Sequence, residues 1–391
     1  MQPLRGLTVV SLEQAIAAPY ATRQLADLGA RVIKVERPGT GDFARGYDHR
    51  VNGLSSHFVW VNRNKESLTL DVKDPRGREV LRRLLATADV FVQNLAPGAA
   101  ARMGLGADEL HATHPRLIVC DISGYGQGGP YEAMKAYDLM VQSEAGLVSI
   151  TGTSGEMAKV GISVSDIAAG MYAYSGVLAA LLERGSTGRG SVVDVSMLES
   201  TVEWMGVPLY YSYQGAPPAP RAGAAHATIY PYGPFEAGDG RVVMMAIQNE
   251  REWALFCERF LGRPELAADP DYAGNANRNA NREVLGGIIA ARFKDLTGAE
   301  AAALLAAVPV AHANVNTMAD VWAHPQLAAR GRWHQVDTPA GPVPSLAPPG
   351  LVDPAPRMDP VPALGEHTRP ILTELGFAEN DIDALLDARV A

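Results

Sequence analysis

Five short apolar runs, at 8–12, 31–36, 67–72, 90–93 and 117–122, are separated by segments with helical spacing or helix-start signals. Runs such as Val90-Phe91-Val92 and Leu117-Ile118-Val119-Cys120 show no polar alternation, so both of their faces call for burial. That alternation leaves little choice: a parallel sheet with helices packed on it, an α/β fold. A helix is expected at 19–28. Asp74-Pro75 opens another that runs to about 86, with Asp as cap and Pro at the first position. A sixth strand is expected at 191–195, after a turn at 185–190.

The stretch 159–183 stands apart. Ile167, Met171, Tyr174, Leu178 and Leu181 follow the helical period, and Ala168, Ala169, Gly170, Ala173 and Gly176 permit close backbone approach. Asp166 opens this helix, and no further charge appears before Glu183. An Asp in that place reads as an N-cap. It also reads as a carboxylate kept ionised by the helix terminus, an effect of about 0.3–1 kcal/mol. Ionised carboxylates attack activated carbonyls to give covalent intermediates.

Beyond a helical segment at 197–213, the Pro-, Gly- and Ala-rich run 215–225 is the clearest boundary. A smaller α+β domain is expected from 225 to about 320, with a strand at 241–247 and helices near 250–260, 278–294 and 298–306. Thr297 and Glu300 form a capping-box pattern, and Asn249 precedes a helix as a cap. A hairpin-like piece starts at Trp333. The Pro-rich run 348–362 leads to an amphipathic helical region at 366–391.

At 391 residues, two domains are the natural expectation. A formal net charge of -9, with no basic tract, argues against a nucleic-acid partner. Two cysteines, Cys120 and Cys257, exclude a disulfide scaffold and a multi-cysteine metal site. The opening residues do not read as a leader and no apolar run reaches the ~18 residues of a membrane span, so a cytoplasmic setting without membrane is expected. The first turn, E-Q-A-I-A-A-P, lacks a dinucleotide glycine fingerprint, and the histidines are scattered, so no metal is expected. Lys34, Arg37, Arg45, Arg50, Arg63, Lys65 and Lys73 cluster in the first third. They read either as a solvated face or as a site for a phosphate-bearing ligand at the strand ends. The long polar segments 37–65 and 124–161 are candidate functional loops.

Several motifs occur in a fixed order. They are L-x-G-L-T-V-V-S-L-E at the start, A-x-L-G-A-R-V-I-K-V-E-R-P-G-T-G-D at 26–42, N-R-N-K-E-S-L-T-L-D-V at 62–72, and V-Q-N-L-A-P-G-A-A-A-R-M-G-L at 92–105. After the Asp166 helix come G-R-G-S-V-V-D-V-S-M, R-A-G-A-A-H-A-T-I-Y-P-Y-G-P-F at 221–235 and L-G-E-H-T at 364–368. Together they resemble the family III CoA-transferases (the CaiB/BaiF family), which include formyl-CoA transferase and are related to the α-methylacyl-CoA racemases.

The resemblance implies a Rossmann-like large domain, 1–213 with 331–391, and a small domain, 225–320, joined by linkers at 214–224 and 321–330. It implies a homodimer of interlocked rings. Coenzyme A and acyl-CoA enter as substrates, with a carboxylic acid as partner and no permanently bound cofactor. The residue implied as nucleophile is Asp166. Gln14, Ile16 and Ala17 would border the thioester. Arg37 and Arg102 would meet CoA phosphates, or, for Arg37, stack on adenine. Leu70, Asp71, Val72 and Lys73 would line the adenine site, with Asn94, Leu95, Ala96 and Met103 beside it. Lys135, Ala136, Tyr137 and Asp138 would follow the pantetheine arm. His226 could face the acceptor acid; its other reading is a structural histidine in the linker.

One departure separates the branches. The racemases carry Gly-His-Asp where this chain has Ala136-Tyr137-Asp138. A phenol with a reference pKa of about 10 substitutes poorly for an acid/base histidine. The motifs Q-N-E-R-E-W and P-Y-G-P-F resemble those of members acting on C4–C5 dicarboxylates. The expected activity is therefore CoA transfer from an acyl-CoA such as succinyl-CoA to a small dicarboxylate. An acyl-CoA racemase, and a non-catalytic CoA-binding protein with Asp166 as a mere cap, stay open as alternatives.

Overall fold

A computed structural model describes residues 2–350 and 355–391. The chain divides into two compact units. The first draws on residues up to Gly146, on Val160–Gly206 and on the segment from Leu327 onward; the second comprises Leu147–Lys159 and Val207–Gln326. Residues 147–159 and 207–213, expected in the large domain, thus belong to the second unit. The Arg221 fork explains the first of these differences. It donates to the carbonyls of Thr153, Ser149 and Ser154, and the Gly223 N–H donates to the Gly152 carbonyl, which ties that segment to 221–223.

The first unit holds six parallel strands: β1 (Thr8–Leu12), β2 (Arg31–Glu36), β3 (Lys65–Thr69), β4 (Val90–Gln93), β5 (Ile118–Ser123) and β6 (Val192–Ser196), in the spatial order β3-β2-β1-β4-β5-β6. This is a doubly wound sheet whose order reverses between β1 and β4. The third strand starts two residues earlier than its apolar run suggests, because Lys65 is buried and pairs with Val32.

Helices cover both faces. On one side α2 (Pro75–Leu85) packs Val80, Leu81, Leu84 and Leu85 into a core shared with Ile371, Leu372, Ile382 and Leu385 from α8 (Thr368–Glu374) and α9 (Glu379–Asp387). Its cap is the expected one: the Asp74 carboxylate accepts from the Arg76 N–H at 2.8 Å. On the other side α1 (Ala17–Asp27) lies against α4 (Val164–Thr187). The small residues of α4 make this possible. A Cβ on Gly170 would come within 2.8 Å of the Ala17 carbonyl oxygen and 3.0 Å of the Tyr20 ring.

At 24 residues, α4 is long and apolar enough by composition to cross a membrane, contrary to the expectation that no apolar run reaches that length. Its Ala169, Ala173, Val177 and Ala180 are instead part of the core beneath the sheet. Two further helices, α3 (Asp138–Glu144) and α5 (Met197–Trp204), complete this face. Helix α3 falls inside the segment 124–161 expected as a loop, and α5 is shorter than the helical segment expected at 197–213. It breaks after Trp204, and a short turn of helix, Gly206–Tyr211, follows.

The second unit has a three-stranded antiparallel sheet, β7 (Tyr232–Glu236), β8 (Val242–Ala246) and β9 (Ala311–Asn314). Helices α6 (Arg282–Lys294) and α7 (Gly298–Ala307) bury Leu285, Ile289, Phe293, Ala301 and Leu305 in its core. The Thr297–Glu300 capping box and the Asn249 cap are both formed. In the first unit, β10 (Trp333–Val336) and β11 (Val343–Leu346) make the expected hairpin. Of the Pro-rich run 348–362, residues 351–354 lie outside the described residues; Asp359 docks through its N–H on the Asn64 side-chain oxygen.

Candidate active site

The strand order reverses between β1 and β4, and in open α/β sheets ligands bind outside the strand ends at such a point. Gln14 and Asn94 meet there. The Asn94 amide oxygen accepts from the Gln14 N–H at 2.9 Å, and its amide nitrogen donates to the Gln14 carbonyl at 2.9 Å. The next residue, Ala15, is held at φ 61°, a left-handed conformation unusual for a residue with a Cβ. Ile16 and Ala17 then turn into α1 and are buried.

The other expected ligand residues follow the same ends of neighbouring strands. Arg37 is exposed just past β2. Leu70 through Lys73 follow β3; Leu70 is buried in the core, so only its main chain is available, while Lys73 is exposed. The Asp71 N–H donates to the Val390 carbonyl at 2.7 Å, and the Asp71 carboxylate accepts from the Lys73 N–H. Leu95 and Ala96 follow β4, the Leu95 N–H donating to the Gln93 side chain. Arg102 is exposed, and its guanidinium reaches the Pro97 carbonyl at 3.4 Å. Val72 and Met103 line one cavity of about 350 Å³ with Leu81 and Leu105. Lys135 and Tyr137 are exposed, and Ala136 packs on Gly124 so closely that a Cβ there would be 2.2 Å away.

Asp166 sits in the first turn of α4 but is not its cap. Ser163 occupies the cap position and makes no side-chain cap bond. The cap comes from another helix: the Asp138 Oδ1 accepts from the Ser165 N–H at 2.8 Å and from the Asp166 N–H at 3.4 Å. The buried Gln142 completes the link. Its amide donates to the Asp138 Oδ2 at 2.6 Å and accepts from the Val160 N–H at 3.0 Å. Burial, and then the charge of Asp138, push the Asp166 carboxyl up to about 7. A carboxylate held that far above its ordinary range is basic and poorly hydrated, which suits a nucleophile.

Tyr47 was not singled out from the sequence, although it lies in the flagged segment 37–65. Burial, then the charges of Asp42 and Asp166, push its phenol up to about 12. Its ring also packs edge-on against His57, whose Nδ1 is 3.2 Å from the Asp48 carboxylate.

Most of the basic cluster takes neither role considered for it. Lys34 and Lys65 are fully buried, and both reach the Glu13 carboxylate, at 3.3 and 2.6 Å. Arg63 is buried in a two-pronged pair with Asp27, and Arg45 pairs with Glu36 and stacks 3.7 Å above the Phe58 ring. Arg37, Arg50 and Lys73 keep exposed side chains.

His226 lies in the second unit. Its Nδ1 accepts from the Thr228 and Ile229 N–H groups and its ring stacks on Tyr232 at 5.2 Å, so a local role in shaping the 226–232 turn accounts for it.

A doubly wound parallel sheet, and a carboxyl pushed up to about 7 in the first turn of a helix packed on it, are what the first unit brings to a site. Residues 4–368 match the family model for CoA-transferase family III. The chain is 38% identical over 397 residues to the succinyl-CoA:glutarate CoA-transferase of Mus musculus, covering 99% of this chain and 89% of that one. It is 34% identical over 389 residues to the succinate–glutarate CoA-transferase of Agrobacterium fabrum, covering 96% of each. The crystal structure of a CAIB/BAIF family protein from Brucella suis aligns with a TM-score of 0.84 at 36% identity, over 96% of this chain and 99% of that chain. The chain belongs to CoA-transferase family III, and it is an enzyme of that type.

Proposed function

We propose that this protein moves coenzyme A from succinyl-CoA to a small dicarboxylate of the glutarate class, with Asp166 as the nucleophile. The observation that carries this is the half-buried Asp166 carboxylate in the first turn of α4. The substrate class is supported by the relatives, which are named for succinyl-CoA with glutarate, D-citramalate or mesaconate.

The chemistry balances without a redox step. An Asp166 oxygen attacks the thioester carbon, the C–S bond breaks, and CoA leaves as thiolate. A mixed anhydride remains. The thiolate then attacks the aspartyl carbon, freeing succinate and leaving an aspartyl–CoA thioester. The acceptor carboxylate displaces CoA from Asp166 to give a second anhydride. The thiolate finally takes the acceptor acyl group and Asp166 is released as a carboxylate. No proton changes hands. Binding CoA along Gln14–Ala17, Arg37, Leu70–Lys73, Asn94–Ala96, Arg102–Met103 and Lys135–Asp138 would lay the thioester before Asp166.

The interlocked homodimer belongs to the same reading. Supporting it, Trp204, Val207, Tyr210 and Tyr213 are 50, 80, 81 and 65% exposed, an apolar run that a second chain would cover. Light scattering is expected to give twice the chain mass. A cytoplasmic, reducing setting fits the two buried, unpaired cysteines.

The decisive experiment incubates the protein with succinyl-CoA and glutarate and follows glutaryl-CoA by mass spectrometry, with hydroxylamine added to trap the acyl-enzyme. Wild-type protein should give product and a hydroxamate at Asp166. Asp166→Ala protein that still forms glutaryl-CoA would remove Asp166 from the mechanism.

A further inference from the structure

The buried charges behind the site are not spread evenly. Asp42 is 1% exposed and its two oxygens are divided between different tasks. Oδ2 accepts from Lys34 Nζ at 2.8 Å. Oδ1 accepts from the Ala15 N–H at 3.1 Å and from the Ala44 N–H at 2.9 Å. Its own N–H donates to Glu36 Oε1 at 3.0 Å. The side chain is thus fixed from β2 on one side and grips two loops on the other.

Both loops belong to the surroundings of Asp166. The first is Gln14–Ala17. It enters α1 where the Ala17 carbonyl lies against Gly170, one helical turn after Asp166. The second is the short turn Phe43–Gly46, which Asp42 caps and which delivers Tyr47. The Tyr47 phenol feels the charges of both Asp42 and Asp166. Ala15 needs a clamp, because a left-handed φ of 61° is disfavoured for any residue with a Cβ. Lys34, buried with it, supplies the positive partner that a buried carboxylate needs.

We propose that Asp42 is a positioning residue for the transfer reaction: backed by Lys34, it holds the Gln14–Ala17 and Phe43–Tyr47 segments in register with Asp166. Asp42 touches no reacting atom. It acts through the two main-chain segments it grips, and a misplacement of about 1 Å in such segments costs up to about 100-fold in rate. The idea rests on the proposed role of Asp166 for its kinetic part, and on geometry alone for its structural part.

Two variants and two readouts test it. Asp42→Ala removes the acceptor. The pair Asp42→Asn with Lys34→Met removes one charge of each sign and keeps an oxygen for the Ala15 and Ala44 N–H groups. Amide hydrogen exchange is read on the peptides containing Ala15 and Ala44, and kcat and KM are measured with succinyl-CoA and glutarate, corrected for the folded fraction. Asp42→Ala should speed exchange in both peptides and lower kcat by about 10- to 100-fold. The paired variant should protect both peptides like wild type and keep kcat within about threefold. Unchanged exchange in folded Asp42→Ala would overturn the clamp whatever the activity. Loosened loops with an unchanged kcat would overturn its link to catalysis. A paired variant as slow and as loose as Asp42→Ala would do so too, by showing that charge and not the oxygen matters. If wild-type protein transfers no CoA, the failure lies with the proposed reaction, and exchange alone decides the clamp.

Discussion

The Asp138 carboxylate caps a helix to which it does not belong: its Oδ1 accepts the Ser165 N–H at 2.8 Å. The N-terminus of α4 is therefore satisfied from α3, and the Asp166 side chain is left free of capping duty. The arrangement also sets a second negative charge beside Asp166, which adds to the effect of burial in raising its carboxyl.

Asp138→Ala should cost about 0.5–2 kcal/mol of stability, the usual worth of a cap. The loss should depend on pH. At pH 5 Asp166 is protonated and the cap is lost without relief. At pH 8 both groups are charged in the wild type, so removing Asp138 also removes a repulsion. Urea denaturation at the two pH values should show the larger loss at pH 5, and a larger loss at pH 8 would refute the pairing.

Asp166→Asn should be more stable than wild type at high pH. The folded carboxyl titrates near 7, well above the ordinary value near 3.9 that the unfolded chain shows. Between those values the folded state holds a proton that the unfolded state gives up, so wild-type stability falls as pH rises through that window. Asparagine escapes this fall. Thermal melts should converge near pH 4 and separate by more than about 1 kcal/mol at pH 8, one pKa unit being about 1.4 kcal/mol. The same titration predicts that wild-type kcat/KM rises with pH toward a plateau above 7, with the acidic limb moved lower in Asp138→Asn.

Glu13→Gln should be among the most damaging changes in the molecule. Burial alone would raise this carboxyl, but the ammonium groups of Lys65 and Lys34 overcome it and hold Glu13 below its ordinary value. Neutralising it strands the buried Lys65 ammonium, whose carboxylate partner it is at 2.6 Å, and leaves Lys34 to Asp42. The expected loss is about 3–5 kcal/mol in equilibrium unfolding. A loss under about 1 kcal/mol would show that the cluster is hydrated in solution.

Gly170→Ala should push α1 off α4, since the new Cβ would come within 2.8 Å of the Ala17 carbonyl oxygen. Overpacking of this kind costs about 1–3 kcal/mol. Because Gln14–Ala17 leads into α1, kcat should fall along with stability, which an assay well below the melting temperature would separate from unfolding.

The sheet was legible because its strands are marked by runs buried on both faces, and β1, β2 and β4 fall where those runs lie. Local signals also held: Asp74, Asn249 and Thr297 cap the helices they precede. What could not be read is what depends on partners distant in sequence. Asp138 lies 27 residues from the N–H it caps, so Asp166 took a role that local sequence gave it by default. Lys34 and Lys65 looked like surface charges because their partner Glu13 is 21 and 52 residues away. Tyr47 was hidden for another reason: an aromatic in a long polar loop carries no periodicity to say which way it faces.

The first unit finishes its outer edge with residues that follow the whole of the second unit in the chain. The β3 strand takes the Thr368 hydroxyl on its Thr69 N–H at 3.0 Å, the His367 ring on its Ser67 N–H, and just beyond it the Val390 carbonyl on Asp71. The second unit is complete in sequence by Gln326. On the ribosome, then, the smaller unit can mature while the larger one still waits for its final strand partners. A stop codon or frameshift within 367–391 would spare the Asp138 and Gln142 side chains near Asp166, yet leave Leu70–Lys73, the expected seat of the adenine, without its support.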